Sequence, residues 1–135
     1  IYEDGQQIRD FVNIQDVVDA NLLVLRDPRA DFEMFNIGGG KPYTVMDFAA
    51  AVAEVFGAKE YTPAPCGKFR FGDTRHICSD INKIKRLGWN PSRSIHESVE
   101  AYKGWLSTAD NAAEILDYCN KQMVKLNVVR DVAKS

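Results

Sequence analysis

The sequence is poor in the residues that most often carry chemistry. Histidine occurs twice, as His76 and His96, and neither stands at a spacing that builds a Ser–His–Asp or Cys–His set. Cysteine occurs three times, at Cys66, Cys78 and Cys119. Their odd number, wide spacing and lack of a CxxC pattern speak against a disulfide framework and against a zinc site. A Tyr-x-x-x-Lys pair is missing: four on from Tyr2, Tyr43, Tyr61, Tyr102 and Tyr118 stand Gln6, Asp47, Pro65, Leu106 and Gln122. Gly38-Gly39-Gly40 has Tyr43 where GxGxxG needs its third glycine, so a strand-to-helix turn is the better reading than a dinucleotide cradle. No apolar run approaches the roughly 20 residues of a membrane span. A net charge of −2 without a basic stripe speaks against a nucleic-acid partner. No charged-then-apolar leader is visible, which with the unpaired cysteines gives the expectation of a reducing cytoplasm.

What is present is ordinary globular composition, 45% apolar and 27% charged over 135 residues, enough to bury a core. The chain opens at Ile1 on strand-like sequence, which we read as a piece of a larger protein. Ile1–Glu3 and Gln7–Val12 are expected as two short strands around an Asp4-Gly5 hairpin turn. Ile14, Val17, Val18, Leu22 and Leu25 mark a helix that stops before Pro28. Phe32–Ile37 reads as a second β region. Thr44, with Asp47 three residues on, opens a helix burying Val45, Phe48, Val52, Val55 and Phe56, with Gly57 at its C′ position. Lys59–Thr62 is expected as a short strand, Cys66–Asp73 as a loop and Arg75–Ser79 as a short extended segment. Asp80 caps a small helix closed by Gly88. Ser94-Ile95-His96-Glu97 is a full capping box opening a helix that buries Ile95, Val99, Tyr102 and Leu106. A last helical stretch carries Ile115, Leu116, Cys119 and Met123, followed by a tail.

One feature does not fit a plain apolar strand. Arg9-Asp10 places two opposite charges at its start, and Arg70 sits in the glycine-containing stretch Arg70-Phe71-Gly72-Asp73. Arginine's planar fork matches phosphate oxygens two at a time and stays charged when partly desolvated. Two such residues could clamp a pyrophosphate, with Asp73 accepting from ligand hydroxyls. The plainer alternative is that Arg9 pairs with Asp10 or Asp16, and Arg70 with Asp73. The residue pattern alone leaves both open.

Three motifs in order add to this: Glu3 through Arg9-Asp10-Phe11-Val12-Asn13 to Val17; Phe35-Asn36-Ile37-Gly38-Gly39-Gly40 followed by Thr44-Val45; and Arg70-Phe71-Gly72-Asp73 through Ser79-Asp80-Ile81-Asn82-Lys83 to Leu87-Gly88-Trp89. From about Tyr2 to Leu106 the chain resembles the C-terminal part of the NAD-dependent epimerase/dehydratase family of extended short-chain dehydrogenase/reductases. The resemblance implies that Arg9 and Arg70 hold the pyrophosphate of a nucleoside-diphosphate sugar. It implies that Asp73 contacts the ribose or a phosphate-side hydroxyl, and that Asn36 faces substrate. Asn13 stands where the family usually has an aromatic, a departure that bears on fine contacts there and not on the fold. The stretch Lys68–His76 looks most like the deoxythymidine-diphosphate-rhamnose 4-epimerase branch.

The same resemblance implies NAD, bound by residues upstream of these, with the catalytic Tyr and Lys upstream too, so no catalytic residue is assigned here. In the family the sugar is oxidised transiently at C4, and firm anchoring of the pyrophosphate leaves the sugar free to present either face. The implied parent is a nucleotide-sugar epimerase, homodimeric, with a 4,6-dehydratase and a non-catalytic nucleotide-sugar or protein-binding module as alternatives. The expected fold is α/β, the substrate-binding part of a Rossmann-type enzyme with short strands and three to four main helices. Residues 1–42 are expected as the edge of the Rossmann sheet (strand, helix, strand), 43–126 as the smaller substrate domain and 127–135 as a tail. The Ile14–Leu25 helix is expected to leave apolar surface uncovered.

Overall fold

A computed structural model describes residues 1–109 and 111–132. Four main helices carry the α/β fold: α1 (Ile14–Val24), α2 (Val45–Val55), α4 (Ile95–Leu106) and α5 (Ala112–Lys125), with a single-turn α3 (Asn82–Lys85) between them. The strands β1 (Ile8–Arg9), β2 (Tyr43–Thr44), β3 (Lys68–Arg70) and β4 (Val129–Asp131) are short. They form two antiparallel pairs, β1 with β2 and β3 with β4.

Helix ends follow local chemistry. The Asn13 side chain accepts from the Gln15 N–H and starts α1. Thr44 with Asp47, and Ser94 with Glu97, form complete capping boxes at α2 and α4, each satisfying amide groups that have no partner inside the helix. Helix α2 ends in a Schellman turn. Gly57, with φ 68, donates to the Glu54 carbonyl and Ala58 to that of Ala53, which reverses the chain. This turn and the Tyr61 N–H to Ala58 carbonyl bond fold residues 59–62 back on themselves, so the strand expected there does not form.

The Asp4-Gly5 hairpin does not form either. A type I′ turn needs positive φ at both central residues, but here positive φ falls on Glu3 and Gly5 and not on Asp4. Asp4 instead accepts the Gln6 N–H. Ile1–Glu3 turns away to residues 64–68, with the Glu3 N–H donating to the Lys68 carbonyl at 2.7 Å and Cys66 to Ile1 at 2.8 Å. β1 therefore pairs with β2, Ile8 opposite Thr44 and Arg9 opposite Tyr43. Phe32–Ile37 keeps the alternation of a strand, Phe35 and Ile37 inward, Met34 and Asn36 exposed. No strand lies alongside it among the described residues, and it is not one. Two more expectations are corrected at the other end: Lys68–Arg70 is a strand within the expected loop, and Val129–Asp131 is a strand within the expected tail.

The core is Ala20, Ile81, Ile84 and Trp89, with Leu23, Val24, Phe35 and Ile37 packed against it. Helix α1 thus buries its Asp16, Ala20 and Leu23–Val24 face, while Ile14, Val18, Leu22 and Leu25 form an exposed apolar stripe on the other. A helix apolar on two faces is built to lie between two layers. A second packing layer joins α2 to α4, with Phe11 stacked on Phe48 at 4.4 Å between ring centroids. In α2 only Ala51 is fully buried; of the expected stripe Val45, Phe48, Val52 and Val55 are half-buried and Phe56 is exposed. In α4 Ile95 and Val99 are buried and Tyr102 is exposed. No helix is long and apolar enough to cross a membrane among the described residues.

Candidate functional site

The carboxylate of Asp10 fixes the frame. One of its oxygens accepts the Gly39 N–H at 2.7 Å and the other the Ser79 N–H at 2.9 Å. A Cβ on Gly38 would sit 2.0 Å from Asp10 Oδ2, and one on Gly39 would sit 1.9 Å from the Phe11 carbonyl. These two glycines are there because backbone and carboxylate approach too closely for any side chain. Arg9, the last residue of β1 and next to Asp10 in sequence, has different partners.

Asp16 makes a second lock. It is almost fully buried and accepts from the Ser92 N–H and hydroxyl, the Arg93 N–H and the Arg93 guanidinium, the last at 2.6 Å. Burial pushes its carboxyl up, but the donors from Arg93 and Ser92 together outweigh this and hold it below the ordinary value. The Trp89 indole N–H donates to the Asp16 carbonyl, so the loop before α4 is tied to the start of α1.

With Asp10 and Asp16 so engaged, neither is the partner of Arg9. Its Nη1 donates to the carbonyls of Ile8 and Arg75, both at 2.9 Å, and no carboxylate lies within 4.0 Å among the described residues. A guanidinium has five N–H donors, and Nε and Nη2 make no hydrogen bond among the described residues. Arg75, which orients Arg9 through its carbonyl, spends its own charge on Glu3 and Asp4, each at 2.6 Å. That contact holds the Asp4 carboxyl below its ordinary value.

Arg9, Arg70 and Asp73 line one pocket of about 210 Å³, together with Tyr2, Glu3, Gln7 and Val45. Arg70 lies 3.9 Å from Asp73, at the limit of an ion pair, and 6.0 Å from the Tyr2 ring centre. The pocket is smaller than the roughly 300–1,000 Å³ that takes a whole small ligand, and suits one charged group of a larger molecule. Gln7 is buried, its Nε2 donating to the Tyr2 carbonyl at 2.9 Å while its Oε1 has no partner among the described residues. Gln7 and Arg75 went unnoticed in the sequence; the i, i+2 spacing of Gln7 and Arg9 on one strand was the available signal. Asn36 does not join this group: it is exposed and lines no part of the pocket. Asn13, the departure from the family pattern, caps α1 and donates to the Ser98 hydroxyl at 2.9 Å. His96 stands at the surface, 3.1 Å from Glu54. A larger pocket of about 520 Å³ lies across α2, but no charged side chain lines it, so it offers no means of holding an anion. No group of three or more metal-ligating side chains occurs among the described residues.

The chain is 38% identical over 109 residues to dTDP-L-rhamnose 4-epimerase of Burkholderia thailandensis, covering 79% of this chain and 29% of the relative. The crystal structure of UDP-glucose 4-epimerase with UDP-glucose from Thermotoga maritima superposes with a TM-score of 0.63 at 37% identity, over 74% of this chain and 31% of that one. UDP-glucuronic acid 4-epimerase from Bacillus cereus, in complex with UDP-glucuronic acid and NAD, gives 0.66 at 25% identity, over 80% and 34%. The chain therefore spans about a third of the length of these proteins. A family model described as GDP-mannose 4,6 dehydratase matches residues 1–102. Matched over three quarters of its length, with the fold of the nucleotide-sugar 4-epimerases, the chain belongs to the NAD-dependent nucleotide-sugar epimerase/dehydratase family.

Proposed function

We propose that the pocket between β1 and the Arg70–Asp73 turn anchors the diphosphate of a nucleoside-diphosphate sugar. The observation that carries this reading is the meeting of Arg9 and Arg70, from distant parts of the chain, in one pocket with Asp73. Arg9 supports it further, since among the described residues its remaining N–H groups have no carboxylate to neutralise them. In this reading Arg9 and Arg70 grip the phosphate oxygens through charge-assisted hydrogen bonds, and Asp73 accepts from a neighbouring hydroxyl. Asn36 faces substrate only from a part of the protein beyond this pocket.

The whole protein is then an NAD-dependent nucleotide-sugar 4-epimerase, homodimeric and cytoplasmic, of the dTDP-L-rhamnose 4-epimerase kind. The likeness to the B. thailandensis enzyme supports the subtype, and three free, exposed cysteines agree with a reducing compartment. The description of the matching family model favours a second reading, a 4,6-dehydratase, which needs the same anchor. The residues of this stretch do not fit NAD itself, because Gly38 and Gly39 are closed against Asp10 and Phe11 and leave no cradle for a pyrophosphate. NAD is left to other residues of the protein. Residues 1–42 form the edge of the Rossmann sheet in this reading, which the apolar stripe on α1 and the unpaired alternation of 32–37 support. Residues 43–126 form the substrate-binding part, and of the segment beyond, β4 pairs with β3 of that part.

The test is calorimetric titration of the full-length protein with UDP and dTDP sugars. Arg9→Ala and Arg70→Ala are each expected to weaken binding by about 1.5–3 kcal/mol. Unchanged affinity in both would remove the anchor. The product formed, an epimer or a 4-keto-6-deoxy sugar, separates the two enzyme readings.

A further inference from the structure

The family match ends at residue 102, yet the strand that carries Arg70 has its sheet partner beyond that point. Helix α5 closes on Asn127, which adopts φ 54. The Asn127 N–H donates to the Val124 carbonyl at 3.0 Å and the Val128 N–H to that of Met123 at 2.9 Å, a Schellman turn with asparagine in the glycine position. The reversal lays β4 along β3, with Arg70 opposite Val129. Both ends of β3 are fastened: the Phe71 N–H donates to the Val128 carbonyl at 2.7 Å, and the Val132 N–H to the Gly67 carbonyl at 2.9 Å. At the C-terminal end of β3, Arg70 Nη2 lies 3.3 Å from Met123 Sδ. Asp73, at 3.9 Å, is too distant to orient the guanidinium alone.

We propose that α5 and β4 act as a clamp that positions Arg70 for the ligand's diphosphate, with Met123 as a positioning residue. This rests on the anchoring role given to Arg70 above. The clamp removes orientational freedom from a long, half-exposed side chain before the ligand arrives, and such preorganisation raises affinity without a new contact.

The experiment uses the full-length protein and inorganic pyrophosphate as probe, titrated by calorimetry. Its variants are a stop after Ala109, Met123→Ala, Met123→Gln and Arg70→Ala, the first two also combined with Arg70→Ala. Truncation is expected to weaken binding about tenfold and Met123→Ala about threefold. Met123→Gln, which restores an acceptor of similar reach, is expected to recover affinity. In the Arg70→Ala background neither change has a further effect, because the clamp acts through that side chain. Equal losses in both backgrounds, or a truncated protein that binds as tightly as the intact one, overturn the clamp while leaving the anchor standing. An Arg70→Ala protein with unchanged affinity removes Arg70 from the anchor, and the clamp's role with it; the anchor as a whole falls only if Arg9→Ala is unchanged too. Where truncation prevents folding, the Met123 pair decides, in proteins whose unfolding temperature is unchanged.

Discussion

Asp10 accepts the Gly39 N–H at 2.7 Å while Arg9, its neighbour in sequence, donates to the carbonyl of Arg75. The adjacent opposite charges are therefore not a pair. They take different partners: Asp10, just past the end of β1, joins its own segment to Gly39 and Ser79, and Arg9 enters the candidate pocket. A charged dipeptide in an apolar strand is explained by two separate tasks.

The structural half of that division is open to mutation. Asp10→Asn puts an amide donor where two backbone N–H groups converge, and is expected to cost about 1–3 kcal/mol in chemical denaturation. Gly39→Ala drives a methyl group into the Phe11 carbonyl and is expected to cost about 3 kcal/mol. An unshifted denaturation midpoint for Gly39→Ala would show that the backbone there is not held in this approach.

The functional half is tested by Arg9→Lys. Lysine keeps the charge but cannot hold the Ile8 and Arg75 carbonyls and present a planar fork at the same time. Nucleoside-diphosphate affinity is expected to fall about tenfold, the equivalent of about 1.4 kcal/mol. Full retention would mean that charge alone matters.

The state of Asp16 makes stability depend on pH. Its carboxyl is held below the ordinary value of 3.8 in the folded chain. Its contribution is thus complete above that value and lost as pH falls through the lower, folded one. Thermal unfolding followed from pH 7 down to pH 3 is expected to show an acid loss beginning near about pH 4. Asp16→Asn is expected to flatten this loss and to cost about 2 kcal/mol at neutral pH, since Asp19 remains as a partner for Arg93. An acid profile identical to the parent's would assign the loss to other carboxylates.

The caps give a graded series. Thr44→Ala and Ser94→Ala each remove one capping box and are expected to cost about 1 kcal/mol. Asn13→Ala removes a cap and also the bond to Ser98, so about 2 kcal/mol is expected. Unfolding midpoints that fail to place Asn13 lowest would show that the bond between α1 and α4 contributes nothing.

Helix boundaries were readable from the sequence because a cap acts within three or four residues of itself. Thr44 with Asp47, Gly57, and Ser94 with Glu97 all act where the pattern puts them. So does the exposed stripe of α1, an apolar periodicity with more faces than this fold covers. The identity of Arg9 and Arg70 as anion-binding candidates was also legible, since it rests on side-chain chemistry and on motif order.

Strand pairing was not legible. A two- or three-residue strand carries too little periodicity to announce itself, and its partner is chosen by what the rest of the chain brings alongside. Asp4-Gly5 looked like a hairpin, but contacts with residues 64–68 took Ile1–Glu3 elsewhere. β3 and β4 formed where a loop and a tail were expected, because the turn at Asn127 returns the chain to them. The same reason governs the site. Sequence alone supplied two arginines and the chemistry that each can do. Only the tertiary structure decided that Arg9 is free of Asp10 and Asp16, that it meets Arg70 in one pocket, and that Asn36 lies outside it. Those are distances between segments far apart along the chain, set by packing and not by local residue pattern.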